Sequence, residues 1–267
     1  MNLTRMGVGL AGVGLAAFVL RQAWRTADSV RWLEILARPT VRQAARRVLL
    51  ERNRNRQHPE QGRFTGADVN QILAETWQRY RVLAAAGSPL GTAEPTPGSR
   101  LTVLLACLSL ACLQTLLNRG LDRAYAVELC ADMAWHICQR WARLPDHGIR
   151  LIARTPLQRL RMNVELFLRF PFNPPGYIVE RLPDAGDVAF NIRRCPIAEY
   201  FQAHDAVDLC TASWCNLDYA LAERWGGRLE RKGTLAWGDA CCDFRFLPEK
   251  NRDTPRTASK SRQKFGG

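Results

Sequence analysis

Apolar residues recur every three or four positions along most of the first two thirds of the chain, the period of one helix face. Val69, Leu73, Trp77, Tyr80 and Ala84 make such a stripe over 68–86, and Gly87 follows as a natural C-terminal stop. Val127, Ala131, Ala134, Cys138 and Trp141 make another, running from a cap at Asp122 to about Arg143. Thr155-Pro156 reads as an N-cap followed by proline at the first helical position. The helix it opens carries Leu157, Leu160, Val164 and Phe167 inward. Residues 28–56 read as two helical pieces divided at Pro39, because proline disfavours helix at the residue before it. The run Leu101–Leu117 is apolar except at Thr102, Ser109, Gln114 and Thr115, and a buried core helix accounts for it better than a membrane span.

After Pro175 the period falls from about 3.6 to 2, the alternation of a strand. Tyr177–Leu182 and Asp187–Arg194 flank Pro183-Asp184-Ala185-Gly186, a hairpin signal. A helical section follows from Pro196 to about Trp225. Two further strands, Arg228–Trp237 and Cys241–Leu247, turn around Gly238-Asp239. This ββ-αα-ββ order predicts an α+β fold, an N-terminal helical layer followed by a four-stranded antiparallel sheet. The chain then divides into an apolar segment 1–27, a basic helical region with a Pro/Gly linker 28–99, an α+β domain 100–247 and a basic, disordered tail 248–267.

Charge changes this picture only at the ends. The 267 residues carry a net charge of +13, and residues 21–56 hold much of it as arginine. No nucleic-acid motif accompanies the basic stretches, so a solvated face and a tail explain them better than a nucleic-acid partner. Met6–Leu20 is uncharged and apolar, short for a bilayer-spanning helix and rich in glycine. Three readings of it stay open: a membrane anchor, a packed N-terminal helix, or a cleaved signal. If it inserts, the arginines after it keep the rest of the chain on the cytoplasmic side, tethered to the inner face of the membrane by residues 6–20. Nine cysteines in a chain this long, several in apolar helical patterns, point to reduced thiols and a cytoplasmic setting.

Three places can carry chemistry. Cys195 precedes Pro196 at a strand–helix junction, where free N–H groups, the helix dipole and the adjacent Arg193 and Arg194 would favour a thiolate. Cys215 and Asp218, three apart, share one helix face beside a core stripe, a thiol next to a candidate base. Cys242 alternates with Phe244 and Phe246 and so points inward, while Cys241, Asp243 and Arg245 point outward. Spacings of 20 and 27 between the three cysteines match no usual zinc ribbon or finger, so no cofactor is expected, with zinc a minor alternative. G-x-S-x-G, H-E-x-x-H and P-loop motifs are absent from the sequence.

The stretches Arg194–Phe201, Asp208–Cys210, Trp214–Asp218, Gly233–Leu235 and Cys242–Phe246, together with the helices from about Leu101 to Trp141, resemble the L-2-amino-thiazoline-4-carboxylic acid (ATC) hydrolase family. The resemblance implies a hydrolase that opens a cyclic C–N/C–S substrate by water or thiolate attack, with Cys195, Cys215, Asp218 and Cys242 at the motif positions. The ring carbon between nitrogen and sulfur is amidine-like and electrophilic, and Arg193, Arg194 or Arg245 would hold a substrate carboxylate. The alternative is a non-catalytic module that binds a small molecule or a metal through the same cysteines. The expected partner is in either case a small molecule.

Overall fold

A computed structural model describes residues 29–86, 94–182 and 188–249. The apolar run Met6–Leu20, most of the Pro/Gly linker, the turn Pro183–Gly186 and nearly all of the basic tail lie outside the described residues.

The helical layer begins with α1 (Ser29–Leu49), α2 (Gly66–Ala85) and α3 (Pro97–Asn118). The expected break at Pro39 does not occur: α1 runs through it. Pro39 lies on the exposed face, so the Ile35 carbonyl it leaves unbonded can turn to water, while Leu33, Ala37, Val41, Ala44 and Val48 stay buried in one unbroken stripe. Packing along that stripe overrides the local preference. Glu34, 7% exposed, sits between Arg38 and Arg81 and joins α1 to α2. Those guanidiniums, Arg81 foremost, hold its carboxyl below the usual range.

Capping boxes start α2 and α3. The Thr65 side chain accepts from Asp68 N–H while Asp68 accepts from Thr65 N–H, and Thr96 and Ser99 repeat the arrangement. Replacing Thr65 by alanine leaves the Asp68 N–H without its acceptor and is expected to cost about 1 kcal/mol, read as a lower urea midpoint at unchanged slope.

Helix α3 is the centre of the molecule. It is long and apolar enough to cross a membrane by composition alone, yet 61% of its most apolar window is buried, against α2 and the helices Arg123–Ile152 and Pro196–Gln202. As expected, it is a core helix. Gly98 in its first turn meets the Pro171 carbonyl where any Cβ would stand, which lets the chain after α5 close onto the helix.

Helix α4 (Arg123–Ile152) starts at the predicted Asp122 cap but continues past the predicted end and through Pro145. Pro145 is exposed, and beyond it Asp146 and Ile149 are buried, so tertiary contacts again carry the helix. Helix α5 (Pro156–Arg169) has Thr155 as its N-cap, donated to by Gln158 N–H.

The sheet is antiparallel throughout, ordered β1-β2-β4-β3, from β1 (Ile178–Arg181), β2 (Val188–Arg194), β3 (Gly227–Glu230) and β4 (Cys242–Pro248). The expected α+β class and ββ-helices-ββ order hold. The third strand is shorter than expected. It ends at Glu230, and Leu235–Trp237 forms a 3-10 turn closed by Gly238 at φ 89°. Between the hairpins lie α6 (Pro196–Gln202), α7 (Val207–Cys210), one π-helical turn (Thr211–Cys215) and α8 (Leu217–Arg224).

Two cores result. The first gathers α1–α4, α6 and α7; the second lies between the sheet, α5 and α8. Cys195, Phe172 and Leu235 touch both.

Candidate functional site

A cavity of about 510 Å³ is walled by both cores. Strand alternation supplies one wall: Cys242, Phe244 and Phe246 of β4 face inward at 6%, 6% and 3% exposure, and Ile192 and Phe190 pair with them in register. Helices α3, α4 and α5 supply the opposite wall, with Leu101, Leu105, Trp141 and Phe167.

The structure brings Cys195, Cys215, Asp218 and Cys242 to this cavity, and adds Cys210, Arg231 and Thr234. The polar atoms of Cys215, Asp218, Arg231, Thr234 and Cys242 form one connected patch. Arg231 donates from Nη1 to Asp218 Oδ2 at 2.8 Å and from Nη2 to the Cys215 carbonyl at 3.0 Å. Its guanidinium stacks over Phe244 and Tyr219. The Thr234 hydroxyl lies between two thiols, 3.6 Å from Cys215 Sγ and 3.5 Å from Cys242 Sγ. Leu235 N–H donates to Cys242 Sγ at 3.2 Å.

Asn216 N–H reaches the Thr211 carbonyl at 3.0 Å, five residues back, which widens the helix by one residue. Two side chains occupy carbonyls just before it, Thr211 Oγ1 on Val207 and Ser213 Oγ on Leu209. This turn puts Cys210 and Cys215, five apart, on the wall of the same cavity.

The electrostatics follow from burial. Asp218 is pushed up to about 6, because desolvation outweighs the opposing pull of Arg231. Cys215 is drawn below an ordinary thiol, chiefly by the hydrogen bond from Cys210, with Thr234 and Arg231 helping. Cys210, the donor of that pair, is driven up. Cys242 is raised by burial. Cys195 departs from expectation. It stands at the N-cap position of α6 without a side-chain cap hydrogen bond; the N–H groups of Ala198 and Ile197 favour its anion, but burial wins and its thiol is raised. A helix terminus depresses a thiol's pKa only where water or a cation completes the charged form's solvation.

The arginines expected to hold substrate are elsewhere. Arg193 and Arg245 lie on the outer face of the sheet, Arg193 on Glu180 at 2.8 Å and Arg245 on Asn191 at 3.2 Å. Arg194 closes a buried ion pair with Glu94 at 2.8 Å and also bonds Glu199 and the Gly176 carbonyl. None of the three lines the cavity. Arg231 does, and the same alternation that places Cys242 would have found it. Gly227 and Leu229 point in, Arg228 and Glu230 point out, and Arg231 is the next inward position. Asp243, on the outward side of β4 with Arg245, accepts from Lys232 N–H at 2.9 Å and Gly233 N–H at 2.7 Å and shapes the loop that carries Thr234.

All nine cysteines are free. Among the described residues no group of three or more His, Cys, Asp or Glu side chains is placed to hold a metal ion.

No curated protein and no solved structure matches the chain. Residues 151–246 match the family model described as L-2-amino-thiazoline-4-carboxylic acid hydrolase. That range takes in α5, nearly the whole sheet and the entire polar patch, and it leaves outside the α3 and α4 helices that share in the resemblance. Over residues 151–246 the chain is therefore similar to the ATC hydrolase family.

Proposed function

We propose that the protein is a hydrolase that opens a cyclic amidine-like ring at the carbon between nitrogen and sulfur, with Cys215 as nucleophile and Asp218 as the group that moves the proton. The observation that carries this reading is the joint placement of a thiol drawn toward its anion and a carboxyl pushed up to about 6 in one apolar cavity. A carboxyl in that range exchanges protons near neutral pH, as a general acid or base must.

As Cys215 Sγ bonds to the ring carbon its thiol proton passes to the Asp218 carboxylate, the carbon–sulfur bond of the ring breaks, and Asp218 hands that proton to the ring sulfur, which becomes a free thiol. The carbon is then held as an S-linked isothiourea. Water adds to it, Asp218 accepts the water's proton, and Cys215 leaves as thiolate. The product is a urea on the former ring nitrogen. With 2-amino-thiazoline-4-carboxylate as substrate, that product is N-carbamoyl-cysteine. Thr234, between Cys215 and Cys242, steadies the sulfur as its charge changes. Arg231 orients Asp218 and keeps the Cys215 carbonyl in place.

Ring opening by Cys215→Ser is expected to fall at least a hundredfold, and by Cys195→Ser to stay within a few fold, since the Cys195 thiol is raised. Chromatographic assay of product gives the rates, and intact-mass spectrometry of wild type under turnover should show the covalent adduct. Full activity in Cys215→Ser would overturn the nucleophile assignment, and loss only in Cys195→Ser would transfer it.

A further inference from the structure

The cavity does not suit a small, anionic substrate. Its volume of about 510 Å³ falls in the range of roughly 300–1,000 Å³ that encloses drug-sized ligands. A single small heterocycle with an amino group and a carboxylate would leave most of it unfilled.

Charge makes the same point independently. Among the described residues lining the cavity, Arg231 is the one cation and Asp218 the one acid. The two are paired at 2.8 Å, and the Arg231 side chain is 6% exposed. A free carboxylate entering here would lose its water and find the guanidinium already committed. The arginines that could have met it, Arg193, Arg194 and Arg245, are bound to Glu180, Glu94 and Asn191 instead.

The remaining wall is largely hydrocarbon, with the Thr102, Tyr177, Ser109 and Asn163 side chains hydrogen-bonded within the protein, and it continues to the surface. Trp141, Leu166 and Phe170 line the cavity and are also 43%, 44% and 51% exposed, an apolar rim from α4, α5 and the residue after it. The polar patch of Asp218, Arg231, Thr234 and the thiols has hydrogen-bonding contacts only for a head group. Within the cavity wall, the Trp214 indole N–H finds no acceptor among the described residues.

Resting on the hydrolase reading above, we propose that the natural substrate is a cyclic amidine or thiazoline whose ring carries a large apolar substituent in place of a free carboxylate. The ring meets Asp218 and Cys215, and the substituent fills the space between Leu105, Phe167 and the Trp141 rim.

The test is equilibrium binding to the full chain by calorimetry, with three probes: 2-amino-thiazoline-4-carboxylate, its N-methyl amide and its N-hexyl amide. The methyl amide removes the charge alone, and the hexyl amide adds the tail. The hexyl amide is expected to bind at least tenfold tighter than the methyl amide, and the methyl amide at least as tightly as the free acid. Trp141→Ala, a truncation at an exposed rim position, is expected to weaken hexyl amide binding several fold more than methyl amide binding. Binding of the free acid as tight as that of the hexyl amide overturns the proposal. Ring opening is followed in the same samples. Turnover of the free acid without any tail preference would leave the hydrolase and remove this substrate class. Tail-dependent binding without ring opening of any probe would leave the ligand class and remove the hydrolase.

Discussion

Replacing Asp218 by asparagine is expected to lower the rate of ring opening by about 10²–10⁴-fold, the usual worth of a positioned general acid or base. The substitution keeps the shape and the hydrogen bond to Arg231 but removes the exchangeable proton. The pH profile separates this from simple damage. In the wild type kcat/KM should fall as pH drops through about 6, where the Asp218 carboxylate takes up its proton. In Asp218→Asn that limb should disappear from whatever activity remains. A retained limb at the same pH would assign it to another group and sink the role given to Asp218.

The same shift has a consequence for stability. The folded-state value lies above the ordinary 3.8, so the native protein holds this proton more tightly than the unfolded chain. Asp218 therefore lowers stability as pH rises from about 4 to about 6, by up to about 3 kcal/mol. Unfolding measured across that window should show a shallower loss with rising pH in Asp218→Asn.

The largest stability effect is expected at Asp146, 1% exposed and just past Pro145 in α4. Its two oxygens meet Arg159 at 2.8 Å, Arg150 at 3.0 Å and Arg224 at 3.6 Å, which ties together α4, α5 and α8. Arg150 is half exposed and adds little. Arg159 and Arg224 are mostly buried, so Asp146→Ala leaves two desolvated cations without their anion. A loss of about 3–5 kcal/mol is expected. Asp146→Asn, which keeps an acceptor, should lose less. The difference is read from urea midpoints at constant slope. An unchanged midpoint in Asp146→Ala would mean that solvent reaches the cluster in spite of its burial. Ala142 and Pro145 line the cavity one turn or less away, so the same substitution should also weaken ligand binding.

Where a feature depended on side-chain period or on a cap, it was legible in the chain. Phe244 and Phe246 placed Cys242 inward, and Asp122 and Thr155 marked the starts of α4 and α5. Where packing competes with a local preference, it was not. Pro39 and Pro145 are strong breakers by type, but each lies on an exposed face of a helix whose other side is buried on both flanks. The raised thiol of Cys195 is likewise a tertiary effect: the helix start was visible, the depth of burial was not. Thr234 stood in a recognisable stretch, yet its place between two sulfurs depends on the loop that Asp239 and Asp243 hold through Thr234 and Gly233 N–H.

The extra residue at Thr211–Cys215 lets a single helical run answer to two masters. Before it, Leu209 and Cys210 seat in the helical core; after it, Leu221, Ala222 and Trp225 seat on the sheet. A regular helix of that length would present one fixed stripe, and the phase set upstream would be wrong downstream by about 100° for each residue of mismatch. A one-residue deletion between 211 and 215 should therefore force a choice. Either half can keep its partner, but Cys210 and Asp218 could no longer look into the same space.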